Sequence, residues 1–387
     1  MEDQVKRVIS KFKSLYDSEP IIVRSPARIN LIGEHTDYNN GFVLPASINR
    51  EMILAIAPRS DEFCKIHALD MDDEIEFKIA SLDRSDKNWA NYIIGVIEQF
   101  RSFEHEISGF ECVFGGNIAI GAGLSSSASL EGAFAFALNR LNKLELKDQD
   151  LIEVGLLVET DYMGVKCGIM DQFINFMGKE DHAIMLDCLT LKHEYIPLKL
   201  DGIKIVLCDT QFKRELATTE YNTRRHQCDL AVRILKQHDS QINSLRDVTF
   251  ELLESLKDQL NTIAYKRCDF VVRENERVKA AASDLKKGDF TSLGKHMYES
   301  HEGLRYYYEV SSNDLDLLVD FTMDIPGVLG ARMMGAGFGG CTINLVKEAF
   351  YEEFQNRIQM DYIKQTGRHL KLYDCSITNG TSLVLQN

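Results

Sequence analysis

Apolar residues recur every three to four positions in several segments of the chain, as they do on the buried face of an amphipathic helix. The first such segment lies within residues 1–20, and a second, residues 88–103, carries Trp89, Val96 and Phe100 on one face. The same pattern predicts further helices over residues 129–144, 151–163 and 168–177 and through most of the polar stretch 214–287.

Other segments show the β-branched content and the partial alternation of apolar and polar residues that are typical of strands. They are residues 50–58, 74–80, 109–118, 181–188, 203–210, 341–346, 371–377 and 381–386. Since helices and strands do not alternate strictly, the order predicts an α+β fold of two domains. We expect the boundary near residue 195, which gives an N-terminal domain over 1–195 and a C-terminal domain over 196–370.

Composition and charge narrow the class of partner. The 387 residues are 44% hydrophobic and 27% charged, as in an ordinary globular protein. A net charge of −15 argues against nucleic acid or an anionic membrane as the main partner. Residues 1–20 lack the apolar core of a signal peptide, and no apolar run approaches the ~18 residues of a membrane span. Nine scattered cysteines without a C-x-x-C pair predict reduced thiols in a cytoplasmic protein.

A glycine- and serine-rich stretch, GAGLSSSAS at residues 121–129, follows a predicted strand and opens a predicted helix. Its glycines let the backbone approach a ligand closely, and the free N–H groups of a helix start favour a phosphate. The serine hydroxyls could bind phosphate oxygens or Mg²⁺. The alternative is a serine N-cap on a tight turn without a ligand. The stretch is not a Walker A loop, because no Gly-Lys-Ser/Thr follows.

A second glycine-rich stretch, GAGFGG at residues 335–340, formally fits the G-x-G-x-x-G pattern. The residues that follow it, CTINLV, predict a strand, whereas a dinucleotide-binding fingerprint needs a helix there. A protein-kinase glycine loop is excluded as well, since no H-R-D or D-F-G follows. We expect a turn whose backbone packs against another segment or against the phosphate-binding stretch.

Two carboxylates in the first half of the chain have more than one interpretation. Asp171 lies near the start of a short apolar helix, where it is either a partner of the helix dipole or a general base that orients a hydroxyl. Glu159 lies late in the preceding helix and is either a solvated side chain or a ligand of Mg²⁺, which prefers carboxylate and hydroxyl oxygens.

The stretch RSPARINLIGEHTDYNNGFVLP, residues 24–45, places Glu34, His35 and Asp37 in one bend between two glycines. A metal site there is disfavoured, because no H-E-x-x-H motif and no second histidine at ligand spacing exist. A buried polar network is one alternative. The other is a polyol site, since carboxylates accept from pairs of sugar hydroxyls and an imidazole can donate or accept.

Taken together, these motifs resemble those of the galactokinase family, in the GHMP superfamily of small-molecule kinases. RINLIGEHTDYNNGFVLP resembles the family signature, GAGLSSSAS the ATP-phosphate loop, CGIMDQF the segment with the catalytic aspartate, and GAGFGGC the third superfamily motif. The resemblance runs from about residue 20 to the end of the chain. It implies an N-terminal ribosomal-protein-like α+β domain, a C-terminal ferredoxin-like domain and an active site between them, with closing strands at about 371–387 as candidates to pair with the first domain.

The resemblance also implies roles for individual residues. Asp171 matches the catalytic carboxylate that faces the C1 hydroxyl of the sugar, and Arg28 matches the arginine beside it. The positions that match galactose contacts are Glu34, His35, Asp37, Gly168 and Tyr221. The positions that match the ATP site are Gly121, Ala122, Gly123, Leu124, Ser125, Ser126 and Ser127, with Trp89 near the adenine. The positions that match Mg²⁺ ligands are Ser127 and Glu159.

The implied reaction is the phosphorylation of α-D-galactose at its C1 hydroxyl by MgATP, a step of galactose metabolism, in a monomeric cytoplasmic enzyme. Asp171 would act mostly by orienting the hydroxyl and taking its proton late. Two alternatives stay open. One is a kinase for N-acetylgalactosamine, galacturonate or arabinose, because the bend alone does not set specificity at C2. The other is a non-catalytic galactose- and ATP-sensing regulator, against which the unbroken GLSSSAS argues.

Overall fold

The computed structural model describes residues 2–119, 121–211 and 217–384. The helices are α1 (Glu2–Leu15), α2 (Asn88–Ser102), α3 (Ser126–Leu141), α4 (Asp148–Leu157), α5 (Met170–Met177), α6 (Ala217–Lys236), α7 (Phe250–Ser255), α8 (Thr262–Lys286), α9 (Phe290–Gly303), α10 (Asn313–Thr322) and α11 (Tyr351–Thr366). The strands are β1 (Ile21–Asn30), β2 (Phe42–Val43), β3 (Pro45–Pro58), β4 (Phe63–Ala68), β5 (Asp73–Lys78), β6 (Phe110–Gly116), β7 (His182–Asp187), β8 (His193–Pro197), β9 (Ile203–Asp209), β10 (Val328–Met333), β11 (Cys341–Lys347), β12 (Lys371–Cys375) and β13 (Ser382–Leu383).

The N-terminal part is built on a six-stranded sheet with the order β13-β1-β3-β6-β4-β5. The pairing is antiparallel except between β4 and β6. Successive side chains of a strand point to opposite faces of its sheet. Val23 and Leu54 therefore enter a core with α2 to α5, whereas Ile22 and Ile53 pack against α1 on the other face. A small sheet, β2-β7-β8, lies beside it.

The C-terminal part contains a four-stranded antiparallel sheet with the order β10-β11-β9-β12. Helices separate β9 from β10 and β11 from β12, while β10 and β11 form a hairpin around the second glycine stretch. This is the order of a ferredoxin-like fold, as expected. Ile205 of β9 packs with α8 and α9, and the next residue, Val206, packs with α10 and α11.

The two closing strands, β12 and β13, belong to different sheets. β13 pairs with β1, with Val23 opposite Leu383. β12 instead pairs with β9 in the second sheet, so the expectation that the closing strands join the first domain is wrong for β12. Its alternate residues Tyr373 and Cys375 are buried in the core shared by the two domains, and this burial holds the strand there.

The expected boundary at residue 195 falls inside β8, which pairs with β7. We propose that the boundary follows Pro197, ahead of β9. Two ends of predicted elements, residues 214–216 and 385–386, lie outside the described residues. No helix in the described ranges has the length and apolar character needed to cross a membrane.

The two domains share one apolar core. Ile29 and Leu31 of the first domain pack in the same cluster as Val278, Met334 and Ile343 of the second. The chain that leaves β1 at Asn30 therefore enters the bend of residues 33–42 directly above this shared core. Residues of both domains therefore help to position the bend.

Candidate active site

A cavity of about 270 Å³ opens where β1, the bend, the first glycine stretch, α5 and α6 meet. This volume lies just below the range of about 300–1,000 Å³ of sites for larger ligands, and it suits a monosaccharide. The predicted site residues that line it are Arg28, Glu34, His35, Asp37, Gly123, Ser125, Ser127, Glu159, Gly168, Asp171 and Tyr221. The structure thus brings together eleven positions that are spread over 194 residues of sequence.

Asp171 and Arg28 form a two-pronged ion pair in the wall of the cavity. The Arg28 Nε donates to Asp171 Oδ1 at 2.8 Å, and its Nη2 donates to Oδ2 at 2.9 Å. Arg28 also donates from Nη1 to the Gly123 carbonyl at 2.5 Å. Paired hydrogen bonds of this kind hold both planar groups in one orientation. Asp171 is therefore fixed with its carboxylate edge facing the cavity.

The first glycine stretch forms a loop that leads into α3. Gly121 and Gly123 have φ angles of 81° and 76°, in the region that glycine adopts without strain. Ser125 also has a positive φ, 57°, and its hydroxyl donates to Asp171 Oδ2. Its side chain does not cap α3, so the cap interpretation does not apply to Ser125. The loop is linked directly to the central carboxylate instead.

The second glycine stretch packs its backbone against the first. A Cβ on Gly335 would lie 3.1 Å from the Gly123 carbonyl oxygen, and a Cβ on Gly340 would lie 3.2 Å from the carbonyl carbon of Ala122. This is the contact with the phosphate-binding stretch that the sequence left as one of two alternatives. It explains why glycines are needed on both sides, since a side chain would push the two backbones apart.

Ser127 and Glu159 lie side by side on the cavity wall, and the Ser127 hydroxyl favours the ionised form of Glu159. Glu159 belongs to a π-helical turn, Val158–Tyr162, that extends α4. Burial raises the pKa of Glu159 overall. A hydroxyl oxygen and a carboxylate oxygen that lie next to each other are suitable ligands for Mg²⁺. The other coordination positions of the ion are usually filled by phosphate oxygens and water. No group of three or more His, Cys, Asp or Glu side chains in the described part of the chain could hold a metal.

Sequence reasoning missed Glu131, which is fully buried behind this pair. Burial raises the pKa of Glu131 well above its usual value, and the neighbouring charge of Glu159 raises it further. Gln172 Nε2 donates to Glu131 Oε2 at 3.3 Å. The signal for Glu131 was its place one helical turn after Ser127, on the same face of α3.

His35 is held in a chain of hydrogen bonds. Its Nε2 contacts the Ala336 carbonyl at 3.2 Å, and its Nδ1 contacts the Tyr38 hydroxyl at 2.7 Å. A carbonyl only accepts, so Nε2 carries the proton and Nδ1 accepts from Tyr38. The chain continues from Tyr38 to the Tyr308 hydroxyl and on to Cys228. Burial lowers the pKa of His35 to about 3, so its ring is neutral.

The geometry therefore favours the buried-network alternative for His35. Both of its nitrogens are occupied by protein groups, and what faces the cavity is the ring itself. The ring of Tyr221 lies 5.3 Å from it, centre to centre, and the two form an aromatic wall. Burial raises the pKa of Tyr221 well above its usual value, which keeps its hydroxyl protonated.

Of the three bend residues predicted to contact the sugar, Asp37 makes the fewest hydrogen bonds to the described part of the protein, since its carboxylate accepts there from the Tyr38 backbone N–H alone. It is buried and lines the cavity. Burial, and then the charge of Asp171, raises the pKa of Asp37 to about 7. Gly168 fits against it so closely that a Cβ on Gly168 would collide with the Asp37 carboxylate. The glycine predicted to contact the sugar thus makes room for the carboxylate.

Glu34 joins the bend to the second domain. Its Oε1 accepts from Arg332 at 3.1 Å and from the Gly335 backbone N–H at 2.9 Å. Arg332 is fully buried and also donates to the Leu31, Asn30 and Met333 carbonyls. The bend is braced internally as well, by Thr36 and Asn39, which sequence reasoning did not assign.

Five predicted residues do not line the cavity. The Ala122 and Leu124 side chains are buried in the shared core, so only their backbones could meet a phosphate. Gly121 and Ser126 belong to the same glycine- and serine-rich stretch. Trp89 donates from its indole N–H to Asp73 at 2.9 Å and packs on Phe114. The adenine position for Trp89 stays a prediction. Further lining residues, to which the sequence assigned no individual role in the site, are Tyr92, Val165, Cys167, Met170, Gln172, Gly335 and Ala336.

The chain is similar to known proteins in sequence and in fold. The sequence model of the galactokinase galactose-binding signature matches residues 10–58, and those of the GHMP kinase N-terminal and C-terminal domains match residues 91–179 and 281–359. A galactokinase of Roseiflexus sp. (strain RS-1) is 40% identical over 378 residues, which cover 97% of this chain and 96% of that protein. The chain belongs to the galactokinase family.

Two further relatives agree with this membership of the galactokinase family. A galactokinase of Thermotoga neapolitana is 41% identical, covering 94% of this chain and 99% of that protein. The crystal structure of Lactococcus lactis galactokinase complexed with galactose superposes with a TM-score of 0.93 at 35% identity, covering 97% of this chain and 98% of the other. The predicted two-domain α+β fold is confirmed by this similarity.

Proposed function

We propose that this protein transfers the γ-phosphoryl group of ATP to the C1 hydroxyl of α-D-galactose, giving galactose 1-phosphate and ADP. The observation that carries the proposal is the joint contact of Asp171 with Arg28 and with Ser125 of the glycine loop. It sets a carboxylate between a cavity of monosaccharide size and a loop suited to phosphate. This arrangement supports transfer between the two, because phosphoryl transfer depends mainly on positioning and charge stabilisation.

The sugar is proposed to bind in the cavity beneath the bend. The Asp37 carboxylate accepts hydrogen bonds from sugar hydroxyls, and Glu34 lines the same cavity. The ring of Tyr221 offers a face to the C–H groups of the sugar. Gly168 contributes mainly by its lack of a side chain, which leaves Asp37 in place. Together these groups recognise a neutral ligand with many hydroxyls.

Asp171 is proposed to orient the C1 hydroxyl and to take its proton as the O–P bond forms. The bond between the γ-phosphorus and the bridging oxygen of ATP breaks at the same time, and ADP leaves. Arg28 holds Asp171 by two hydrogen bonds and lies near enough to offset negative charge on the transferring group. A well-placed base suffices when the proton is lost late.

The nucleotide is proposed to bind with its phosphates on residues 121–127 and on the N-terminus of α3, whose first turn is free of side-chain caps. Mg²⁺, when bound, would neutralise negative charge on the phosphates. Ser127 and Glu159 fit it as ligands, because a hydroxyl and a carboxylate lie together on the cavity wall. Glu159 in its ionised form would be the charged member of the pair.

An ADP-release assay tests this function. MgATP is offered with galactose, N-acetylgalactosamine, glucose, galacturonate or arabinose, and the Asp171→Asn variant serves as the control. We expect turnover on galactose and its loss in the variant. Turnover on another sugar alone would show that the substrate is that sugar and not galactose, and it would leave the proposed mechanism unchanged. No turnover with intact binding of galactose and ATP by calorimetry would contradict an enzymatic role.

We further propose that the protein acts as a monomer in the cytoplasm. All nine cysteines are free thiols, and eight of them are buried, which fits a reducing compartment. Analytical ultracentrifugation of the purified chain would test the monomer. A dimer at micromolar concentration would contradict it.

A further inference from the structure

The long helix α8 of the second domain lies against both ends of the bend that carries Glu34, His35 and Asp37. At the first end, Glu274 Oε1 accepts from the Gly33 backbone N–H at 3.0 Å. At the other end, Asn275 Oδ1 accepts from the Phe42 backbone N–H at 2.9 Å. Two adjacent residues of one helix thus hold the two points at which the bend begins and ends.

Glu274 is itself held firmly. Its side chain is fully buried, and Oε1 also accepts from the Ser300 hydroxyl of α9 at 2.6 Å. Oε2 accepts from Arg277 Nε at 2.8 Å. A buried carboxylate with three donors has little freedom to move. It therefore gives the Gly33 end of the bend a fixed anchor that belongs to the second domain.

The two glycines of the bend are fitted to the same helix. Gly33 has a φ of 101°, and a Cβ on it would lie 2.9 Å from Val278 Cγ2 of α8. A Cβ on Gly41 would collide with Asn275 Oδ1. Backbone and helix approach more closely than any side chain would allow. The glycines therefore serve this contact with α8 as well as the turn itself.

We propose that Glu274 and Asn275 are positioning residues that set the affinity for the sugar, by holding the bend so that Asp37 and Glu34 face the cavity. The proposal rests on the proposed function and names a task for the central helical region. Neither residue lines the cavity, so neither is a catalytic residue. Within the described residues, neither Glu274 nor Asn275 holds Arg28, Asp171 or the glycine loop. A change at either residue should therefore alter the affinity for the sugar and leave the affinity for ATP unchanged.

The test measures KM for galactose, KM for ATP, kcat and the calorimetric Kd for galactose in Asn275→Ala. We expect KM and Kd for galactose to rise about tenfold, because a buried backbone donor loses its acceptor at the edge of the site. KM for ATP should stay within about twofold, since that difference corresponds to well under 1 kcal/mol. The Asn275→Asp variant keeps an oxygen acceptor and should recover most of the sugar affinity.

Two controls separate positioning from loss of stability. Leu285→Ala removes a buried side chain of the same helix, ten residues and about 15 Å away from Asn275. It should lower the melting temperature and leave both KM values unchanged. Glu276→Ala changes an exposed residue of α8 next to Asn275 and should change neither stability nor kinetics.

A second variant keeps the test decisive if Asn275→Ala does not fold. Glu274→Gln retains the volume and an acceptor for Gly33 but loses the ion pair with Arg277, so a smaller, sugar-specific rise in KM is expected. A galactose KM at the wild-type level in the folded variants overturns the proposal, as does an equal rise for both substrates. If the wild type binds galactose but does not turn over, the proposed function fails, while the calorimetric comparison still decides the role of α8.

Discussion

The bend of residues 33–42 and the glycine loop of residues 121–127 are both short, glycine-containing and part of one cavity, yet they are built in opposite ways. In the bend, most polar groups are already engaged within the protein: His35, Thr36 and Asn39 each make hydrogen bonds there. In the loop, α3 begins without a side-chain cap, and the Ser125 hydroxyl turns to Asp171 instead.

This difference reflects the kind of ligand that each region is proposed to bind. A neutral sugar is recognised by a few hydrogen bonds at fixed spacing, which a rigid bend can provide. In this bend chiefly the Asp37 side chain is left to bind the ligand. A phosphate carries its own charge and finds free backbone donors, so the loop needs open N–H groups more than fixed side chains. Asp171 lies between the two regions, because it accepts from Ser125 of the loop and its charge raises the pKa of Asp37 in the bend.

The largest effect is expected where the two regions meet. Asp171→Asn removes the base and should lower kcat by about 10²–10⁴-fold, with both KM values changed little. Steady-state ADP release measures this, and Asp181→Asn, at an exposed aspartate, is the matched control. Retention of most of the turnover would show that Asp171 does not act as a base.

Next, one alanine in each region should separate the two substrates. Gly41→Ala pushes a methyl group into Asn275 and should raise KM for galactose about 10- to 100-fold, as overpacking does. Gly123 has a φ of 76°, which is unfavourable for alanine. Gly123→Ala should therefore distort the loop and raise KM for ATP about tenfold. If each variant changed both KM values equally, the two regions would not be independent.

The acidity of Asp37 gives the bend a pH dependence that the loop lacks. Its pKa of about 7 means that the ionised form, which accepts hydrogen bonds from sugar hydroxyls, is lost as pH falls. We expect kcat/KM for galactose to drop about tenfold per unit below that pKa. A flat profile for galactose between pH ~5 and ~8 would contradict this role of Asp37.

The same pKa has a consequence for stability. The folded pKa of about 7 lies above the ordinary value of 3.8, so ionisation of Asp37 costs folding free energy progressively as pH rises between these values. Asp37→Asn should therefore raise the melting temperature near pH ~8 and have little effect near pH ~4. Calorimetric scans at both pH values check this, and an equal change at both would exclude Asp37 as the cause.

The smallest expected effect is spectroscopic. Trp89 is the single tryptophan, and it lies outside the sugar cavity with its indole bound to Asp73. If it is near the adenine, MgADP should change its fluorescence slightly, and galactose should not. The Trp89→Phe variant, which has no tryptophan, gives the background fluorescence to be subtracted. A response to galactose alone would remove Trp89 from the nucleotide side.

Local patterns predicted much of this molecule. Helical periodicity identified α2 and α3 within a few residues, and the Gly-Ser stretch predicted the loop ahead of α3. The strand β1 was not predicted, although it carries Arg28. It contains Arg24 and Pro26 and shows no alternation, because it is buried along nearly its whole length, and its register shifts at Pro26.

Local sequence was enough to identify the residue types that are available for chemistry: the acids and the arginine, the glycines that allow close approach, and the serines at a helix start. These follow from local backbone geometry and from the chemistry of short motifs. The partners of these residues were set by the tertiary structure. Asp171 meets Arg28 across 143 positions because α5 packs on β1 within the first domain, whereas Gly33 meets Glu274 across 241 because the two domains share one core. No local pattern records either contact.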